Sequence, residues 1–339
     1  MHKDPRKEAQ VMKPDFESRA ERNTAALSEV EKKLYTSLVL PQEAEAIDPR
    51  SFNDLYDKGV IEADLRRVSE LEAKFKAEAK NDPDKEAWDK RGKLFEAIVR
   101  DQTEMSDWMG ETARVIVPSR YDDIVSGVDG IVEFDDETSK THLVLAVDVT
   151  ESELGLNRKF EKISESIRRG SLSRVKYFRS ESMRGELTLV PRVVIGADRR
   201  SMDEVAELLL EFKTTQKGGA QRGGKESERF REARRRLAES DMQYKILMEM
   251  KEQLIAFRDY ARIAPYETHE AAGGKKDIVA AYDRVLTLIS SVLEGKPEAE
   301  LKETRDRLER DGVFNLILEK SRKIGEHNKS GGIVKATIK

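Results

Sequence analysis

Two aspartates, Asp129 and Asp148, stand in the stretch "GVDGIVEFDDETSKTHLVLAVDVT" (127–150), each inside an apolar run where a hairpin strand has no structural use for a charge. Cross-strand partners of an antiparallel pair lie on one face. Setting Asp129 opposite Asp148 brings Val128 against Val149, Gly130 against Val147, Val132 against Leu145 and Phe134 against Leu143. That register places two carboxylates together at the open end of the hairpin, where like charges directly opposite cost roughly 0.2–1 kcal/mol. A hard divalent cation, Mg²⁺ or Mn²⁺, relieves the repulsion, because it takes one or two carboxylate oxygens together with water and a substrate phosphate. The plainer alternatives are a register slip of one or two residues, or an Arg or Lys that neutralises the pair. Asp123, in "RYDDIVSG", ranks below the pair as an additional ligand, since two acids before a turn are ordinary turn chemistry.

Immediately downstream, Arg158, Lys159, Lys162, Arg168, Arg169, Arg174 and Lys176 are set against only Glu161 and Glu165. A second basic run extends from Lys217 to Arg236. Phosphate backbones reward such clustering with salt-sensitive affinity, whereas the bland reading is a solvated helix face and a basic linker. The clustering has to be local to matter, because the whole chain carries a net charge of -4 and exerts no general pull on polyanions. Nucleic acid, DNA before RNA, is the partner these runs suit.

The elements that must position these residues follow from hydrophobic period. Residues 14 to 80 look helical, with Leu27, Val30, Leu34 and Leu38 on one face and a break at "LPQEAEAIDPRS". A further helix begins near "NDPDKEAWDK", with Asp82 as cap and Pro83 in the first turn, and runs to Gly110. Its stripe is Phe95, Ile98, Val99, Met105, Trp108 and Met109, interrupted by Gln102. Between 113 and 213 the period shortens to strands "ARVIVP", "GIVEF", "HLVLAVDVT", "RVKYF" and "PRVVIGAD", with helices near 157–169 and 202–213. This order predicts an α/β protein with a mixed sheet flanked by helices. Leu247, Met250, Leu254, Phe257 and Ala261, and again Ile278, Tyr282, Val285, Ile289 and Val292, recur at heptad spacing, so two helices pair across "APYETHEAAGGKK". Such spacing serves pairing within one chain and pairing in a homodimer equally. The predicted organisation is a helical arm over 1–82, an α/β core over 83–213, a basic flexible linker over 214–236, a helical hairpin or bundle over 237–325 and a tail over 326–339.

With no cysteine in 339 residues, thiolate metal sites, disulfides and cysteine nucleophiles are excluded. The four histidines, His2, His142, His269 and His327, are too scattered for a zinc site or a triad. No phosphate-loop or dinucleotide fingerprint is present, which leaves motor work and hydride transfer without support. The N-terminal stretch has no apolar signal region, and no run approaches the ~20 apolar residues that span a bilayer. The expectation is a cytoplasmic protein with no membrane partner.

A long helix carrying Glu96, a strand pair with Asp129 and Asp148, a basic helix and a fourth strand together resemble the nuclease core of the PD-(D/E)XK phosphodiesterase superfamily, over about residues 90 to 213. The blocks "YDDIVSGVD", "LAVDVT", "KYF" and "PRVVIGAD" are also similar to uncharacterised bacterial proteins grouped with that fold. The resemblance implies a restriction-endonuclease-like core and a divalent-metal-dependent nuclease that hydrolyses phosphodiester bonds. It implies that Asp129 and Asp148 hold Mg²⁺ or Mn²⁺ and that Glu96 binds the metal site or orients water. The motif lysine is replaced by Thr150, and the resemblance then assigns its role to a lysine migrated to the next helix, Lys159 before Lys162. Arg158, Lys162, Arg168, Arg169, Arg174 and Lys176 would contact the nucleic acid. The rival reading is a protein that keeps the nuclease fold without catalysis and binds nucleic acid or protein, motivated by Thr150 and by the extent of the helical extensions.

Overall fold

Short apolar runs between 113 and 196 build the sheet on which the rest of the chain is laid. The computed structural model describes residues 26–80, 83–135, 140–148, 153–220 and 228–330. Four strands form one sheet in the order β1 (Ala113–Ile116), β2 (Gly130–Asp135), β3 (Lys140–Asp148), β6 (Arg192–Gly196). The first three run antiparallel and β6 lies parallel to β3, so the sheet is mixed. Strands β4 (Ser173–Arg179) and β5 (Arg184–Val190) form a separate antiparallel pair.

Helix α4 (Pro83–Ser106) precedes β1, α5 (Arg120–Ser126) joins β1 to β2, and α6 (Glu153–Arg168) follows β3. Before them come α1 (Glu29–Leu34), a π-helical turn, α2 (Leu40–Glu43), a 3-10 turn at Pro49–Phe52 and the long α3 (Lys58–Ala79). After β6 come α7 (Arg199–Ala220), α8 (Glu228–Ala238), α9 (Asp241–Ile263), α10 (His269–Gly273), α11 (Lys275–Glu294), α12 (Glu298–Leu308) and α13 (Gly312–Ser330).

Strand β2 is buried on both faces. Val132 and Phe134 join Leu94, Phe95 and Ile98 of α4 and Leu156 and Phe160 of α6 in the main core. Ile131, on the other face, packs with Val175, Phe178, Leu187 and Val190 of the β4–β5 pair. The main core continues without a break into the N-terminal helices through Leu34 and Leu38, and into α9 and α11 through Leu247, Met250, Leu254, Phe257, Ile278, Tyr282, Val285 and Ile289. The heptad pairing expected of α9 and α11 is therefore observed. Helix α9 also closes the edge of β6 where a fifth strand would add: Val194 N donates to Gln253 Oε1 at 2.8 Å, Gln253 Nε2 donates to Val194 O at 2.6 Å, and Gly196 N donates to Glu249 Oε2 at 3.0 Å. Side chains thus satisfy an edge that would otherwise invite pairing with another chain.

The hairpin register differs from expectation by two residues: Gly130 faces Leu145, Val132 faces Leu143 and Phe134 faces Thr141. Asp129 and Asp148 are therefore not opposite one another; Asp148 ends β3 in register with Gly196 of β6. The physical reason lies at Glu133, which this register sets beside His142, with His142 Nε2 3.1 Å from Glu133 Oε2. The expected register would have set that buried carboxylate against Val144 with no polar partner.

Three further expectations are corrected. The "DD" stretch is not a plain turn but helix α5. Helix α4 ends at Ser106, short of Gly110, and Met105 is 44% exposed rather than part of its buried stripe. The stretch 214–236 is not one flexible linker, because α7 continues to Ala220 and α8 begins at Glu228. Asp82 as a cap, residues 1–25 of the N-terminal arm and residues 331–339 of the tail lie outside the described residues, and residues 326–330 of the expected tail belong to α13.

Candidate functional site

Helix α5 is fixed at both ends by its own sequence. Ser119 caps it, and the fully buried Asp122 accepts from Ser119 Oγ at 2.7 Å, Lys176 N at 2.7 Å and Tyr177 N at 3.0 Å, tying the helix to β4. Gly127 ends it in the left-handed region at φ 66°, a conformation glycine adopts without a Cβ penalty. That turn carries the chain through Val128 to Asp129, while Asp123 leaves the same helix beside it. Helix α4 supplies Lys93 and Glu96, three residues apart and so neighbours on one helix face.

Glu96, Asp123 and Asp129 line one cavity of about 690 Å³ together with Lys93, Lys159, Lys162 and Arg192. A smaller cavity of about 390 Å³ shares the same three carboxylates and is walled by Val115, Ile116 and Pro118. The carboxylates thus stand where the two cavities meet. Asp129 and Glu96, two of the expected site residues, are brought together with the expected Lys159. The backbone of Asp148 ends the neighbouring strand; its side chain, like Thr150, lies outside the described residues.

The electrostatics show that the carboxylates feel one another. Burial pushes Glu96 well above the usual carboxylate range, Asp129 and Asp123 push it further, and Lys93 and Lys159 oppose them. Burial likewise raises Asp123 to about 6, opposed by Arg120, whose Nη1 donates to Asp123 Oδ2 at 2.5 Å, and reinforced by Asp129. Arg192, half-buried on β6, has its guanidinium pKa lowered by desolvation, with Asp129 acting in the other direction. Its Nη2 donates to Ser126 O at 2.8 Å, at the end of α5, while its buried Nε has no partner. The result is a carboxylate cluster inside a wall of Lys and Arg. Oxygen donors of this type suit a hard divalent ion, although no group of three or more His, Asp or Glu among the described residues is placed to hold one.

The expected nucleic-acid residues do not form one surface. Lys162 lines the cavity with Lys159, and Arg158 is exposed on α6. Arg168 Nη1 donates to Tyr260 Oη at 3.3 Å, and Arg169 stands 3.7 Å from both Glu165 and Glu267. Arg174 grips Glu186 through two bonds of 2.6 Å. Lys176 is bound to Asp64 and sits over the rings of Tyr56, Tyr121 and Tyr177 at 5.2–5.3 Å. Arg174 and Lys176 therefore hold β4 to β5 and α3, away from the cavity.

No protein-family model, curated protein or solved structure matches this chain.

Lys93, Arg120 and Arg192 were not singled out from the sequence. Arg192 had a signal, a lone charge at the head of the apolar run "RVVIG", the same signal that marked Asp129 and Asp148. Lys93 had the helical spacing to Glu96. Arg120 had none, since an Arg three residues before an Asp on a surface helix is an ordinary ion pair.

Proposed function

We propose that the protein is a divalent-metal-dependent nuclease with a restriction-endonuclease-like core, hydrolysing phosphodiester bonds of DNA or RNA. The observation that carries this reading is the junction of Glu96, Asp123 and Asp129 in a cavity walled by Lys93, Lys159 and Arg192. Asp129, and Asp148 at the end of the neighbouring strand, are the residues that would hold Mg²⁺ or Mn²⁺. When bound, such an ion polarises a phosphate oxygen and lowers the pKa of a bound water.

The chain's own residues do the remainder. Lys159 and Arg192 pull a phosphodiester into the cavity and stabilise negative charge on its oxygens, in a site where partial burial makes each cation count for more than in water. Glu96, whose carboxyl burial favours in the protonated form, is suited to hold or pass a proton at the attacking or leaving oxygen. With Thr150 where the superfamily has its lysine, Lys159 is the cation that takes its place.

A second reading, a nucleic-acid or protein interaction module with the same core and no hydrolysis, is favoured by the Arg120–Asp123 ion pair, which already neutralises one of the three carboxylates. Purified protein incubated with Mg²⁺ or Mn²⁺ and a panel of DNA and RNA oligonucleotides separates the two. Cleavage that EDTA abolishes supports the nuclease; binding without cleavage of any member supports the module.

A further inference from the structure

Two aromatic rings line the larger cavity for which the carboxylate chemistry has no use. Phe75, near the end of α3, is 45% exposed, an uncommon cost for a phenyl ring with Lys74 and Lys76 on either side of it in the chain. Trp88, on α4, faces the same cavity, with the Arg91 guanidinium 4.9 Å from its ring centroid. Both rings line the larger cavity only, whereas Glu96, Asp123 and Asp129 stand at its junction with the smaller one. Aromatic surface and carboxylate junction are thus separate parts of one cavity, and Lys159, Lys162 and Arg192 line it as well.

We infer that this cavity receives single-stranded nucleic acid, with Phe75 and Trp88 as the surface on which an unpaired base stacks while Lys159, Lys162 and Arg192 hold its phosphates. The inference rests on the phosphodiesterase reading of the carboxylates and narrows its substrate. Bases in a duplex are stacked on one another and present only their edges, so a duplex can reach the cations but not the rings. An unpaired base has a free π-face, and stacking it on an aromatic side chain is tolerant of sequence. The size agrees: about 690 Å³ falls within the roughly 300–1,000 Å³ that encloses one small ligand, which accommodates a nucleotide unit and not a run of base pairs.

The chain has two tryptophans, and Trp108 is 1% exposed with its Nε1 donating to Leu237 O, so a ligand-induced fluorescence change reports on Trp88. The full-length protein in EDTA is titrated with a single-stranded oligonucleotide and with the blunt duplex of the same sequence. The single strand is expected to quench the fluorescence and to bind more tightly than the duplex. Phe75→Ala is expected to weaken single-strand binding between about fivefold and about a hundredfold with an unchanged melting temperature, and Phe75→Tyr to restore it. Equal affinity for duplex and single strand, or an unaltered affinity in Phe75→Ala, overturns the inference. Cleavage is scored separately with Mg²⁺ or Mn²⁺: a blunt duplex cut as readily as a single strand overturns the inference while leaving the nuclease reading intact. Selective single-strand binding with quenching, and no cleavage of any oligonucleotide, removes the nuclease reading and upholds the stacking site.

Discussion

Asp129 is the residue on which the site's electrostatics turn, because it raises the carboxyls of both Glu96 and Asp123 and acts on Arg192. Replacing it by Asn removes a negative charge and keeps the shape. In Asp129→Asn the Asp123 carboxyl, at about 6 in the native protein, is expected to titrate lower, as read by carboxyl-carbon NMR; an unmoved midpoint would show that the two do not interact. The same raised value makes a stability prediction. A carboxyl whose folded pKa exceeds its unfolded value of about 3.9 stabilises the fold fully below that value, and the contribution is lost as pH rises through about 6. Asp123→Asn keeps a neutral side chain at every pH. Its stability relative to the native protein is therefore expected to increase between pH 4 and pH 7, by about 1 to 2 kcal/mol once partial exposure is allowed for. Chemical denaturation at the two pH values measures it, and a relative stability that falls over that interval would show that folding lowers the Asp123 carboxyl instead of raising it.

At the scale of elements, the cavity depends on where α5 sits, and α5 is held by Asp122. Asp122→Ala leaves the buried Lys176 and Tyr177 amides and the Ser119 hydroxyl without their acceptor, and a loss of about 2–4 kcal/mol is expected in denaturant unfolding. A change under about 0.5 kcal/mol, the range of an ordinary surface substitution, would mean that α5 is placed by other contacts. This anchor shows why the site was only partly legible from sequence. Four of the strands announced themselves as short apolar runs, and the fifth expected strand, "RVKYF", was found as β4; "RGELTLV", with Arg, Gly and Glu breaking the apolar pattern, became β5 unannounced. The hairpin was recognised, yet its register was not. A slip of two residues keeps every side chain on its own face, so hydrophobic alternation cannot distinguish the two pairings. The Glu133–His142 contact fits the observed pairing and not the expected one. Asp129 was marked by its charge in an apolar run, whereas Glu96 and Lys159 were singled out only through the resemblance to the nuclease core. Arg192 completes the wall from β6, far along the chain from Asp129, and the lone charge that heads that strand does not tell which residues it will meet.

For the whole molecule, the N-terminal helices are not an appendage to the sheet. Arg91 and Glu31, 0% and 1% exposed, are joined at 2.7 Å between α4 and α1, and Asp64 of α3 holds Tyr177 Oη at 2.7 Å beside Lys176 on β4. Breaking a buried pair strands the remaining charge. Arg91→Ala is therefore expected to cost about 3–5 kcal/mol, and Arg91→Met combined with Glu31→Leu much less; equal losses in both would locate the cost in packing instead. No helix among the described residues is long and apolar enough to cross a membrane. The main core runs from the N-terminal helices through the sheet to α9 and α11, with smaller clusters beside it; α3, α4, α5 and α6 converge on one cavity, and the central proposal is that the carboxylates there hold a divalent ion. Calorimetric titration of the metal-free protein with Mn²⁺, paired with its melting temperature, tests this most directly. Binding to the folded state alone raises the melting temperature by mass action. A saturable heat and a raised melting temperature are expected in the native protein, both largely lost in Asp129→Asn and Asp148→Asn. No heat and no shift in the native protein, with a clear loss of stability in Asp148→Asn, would contradict it and make these aspartates structural.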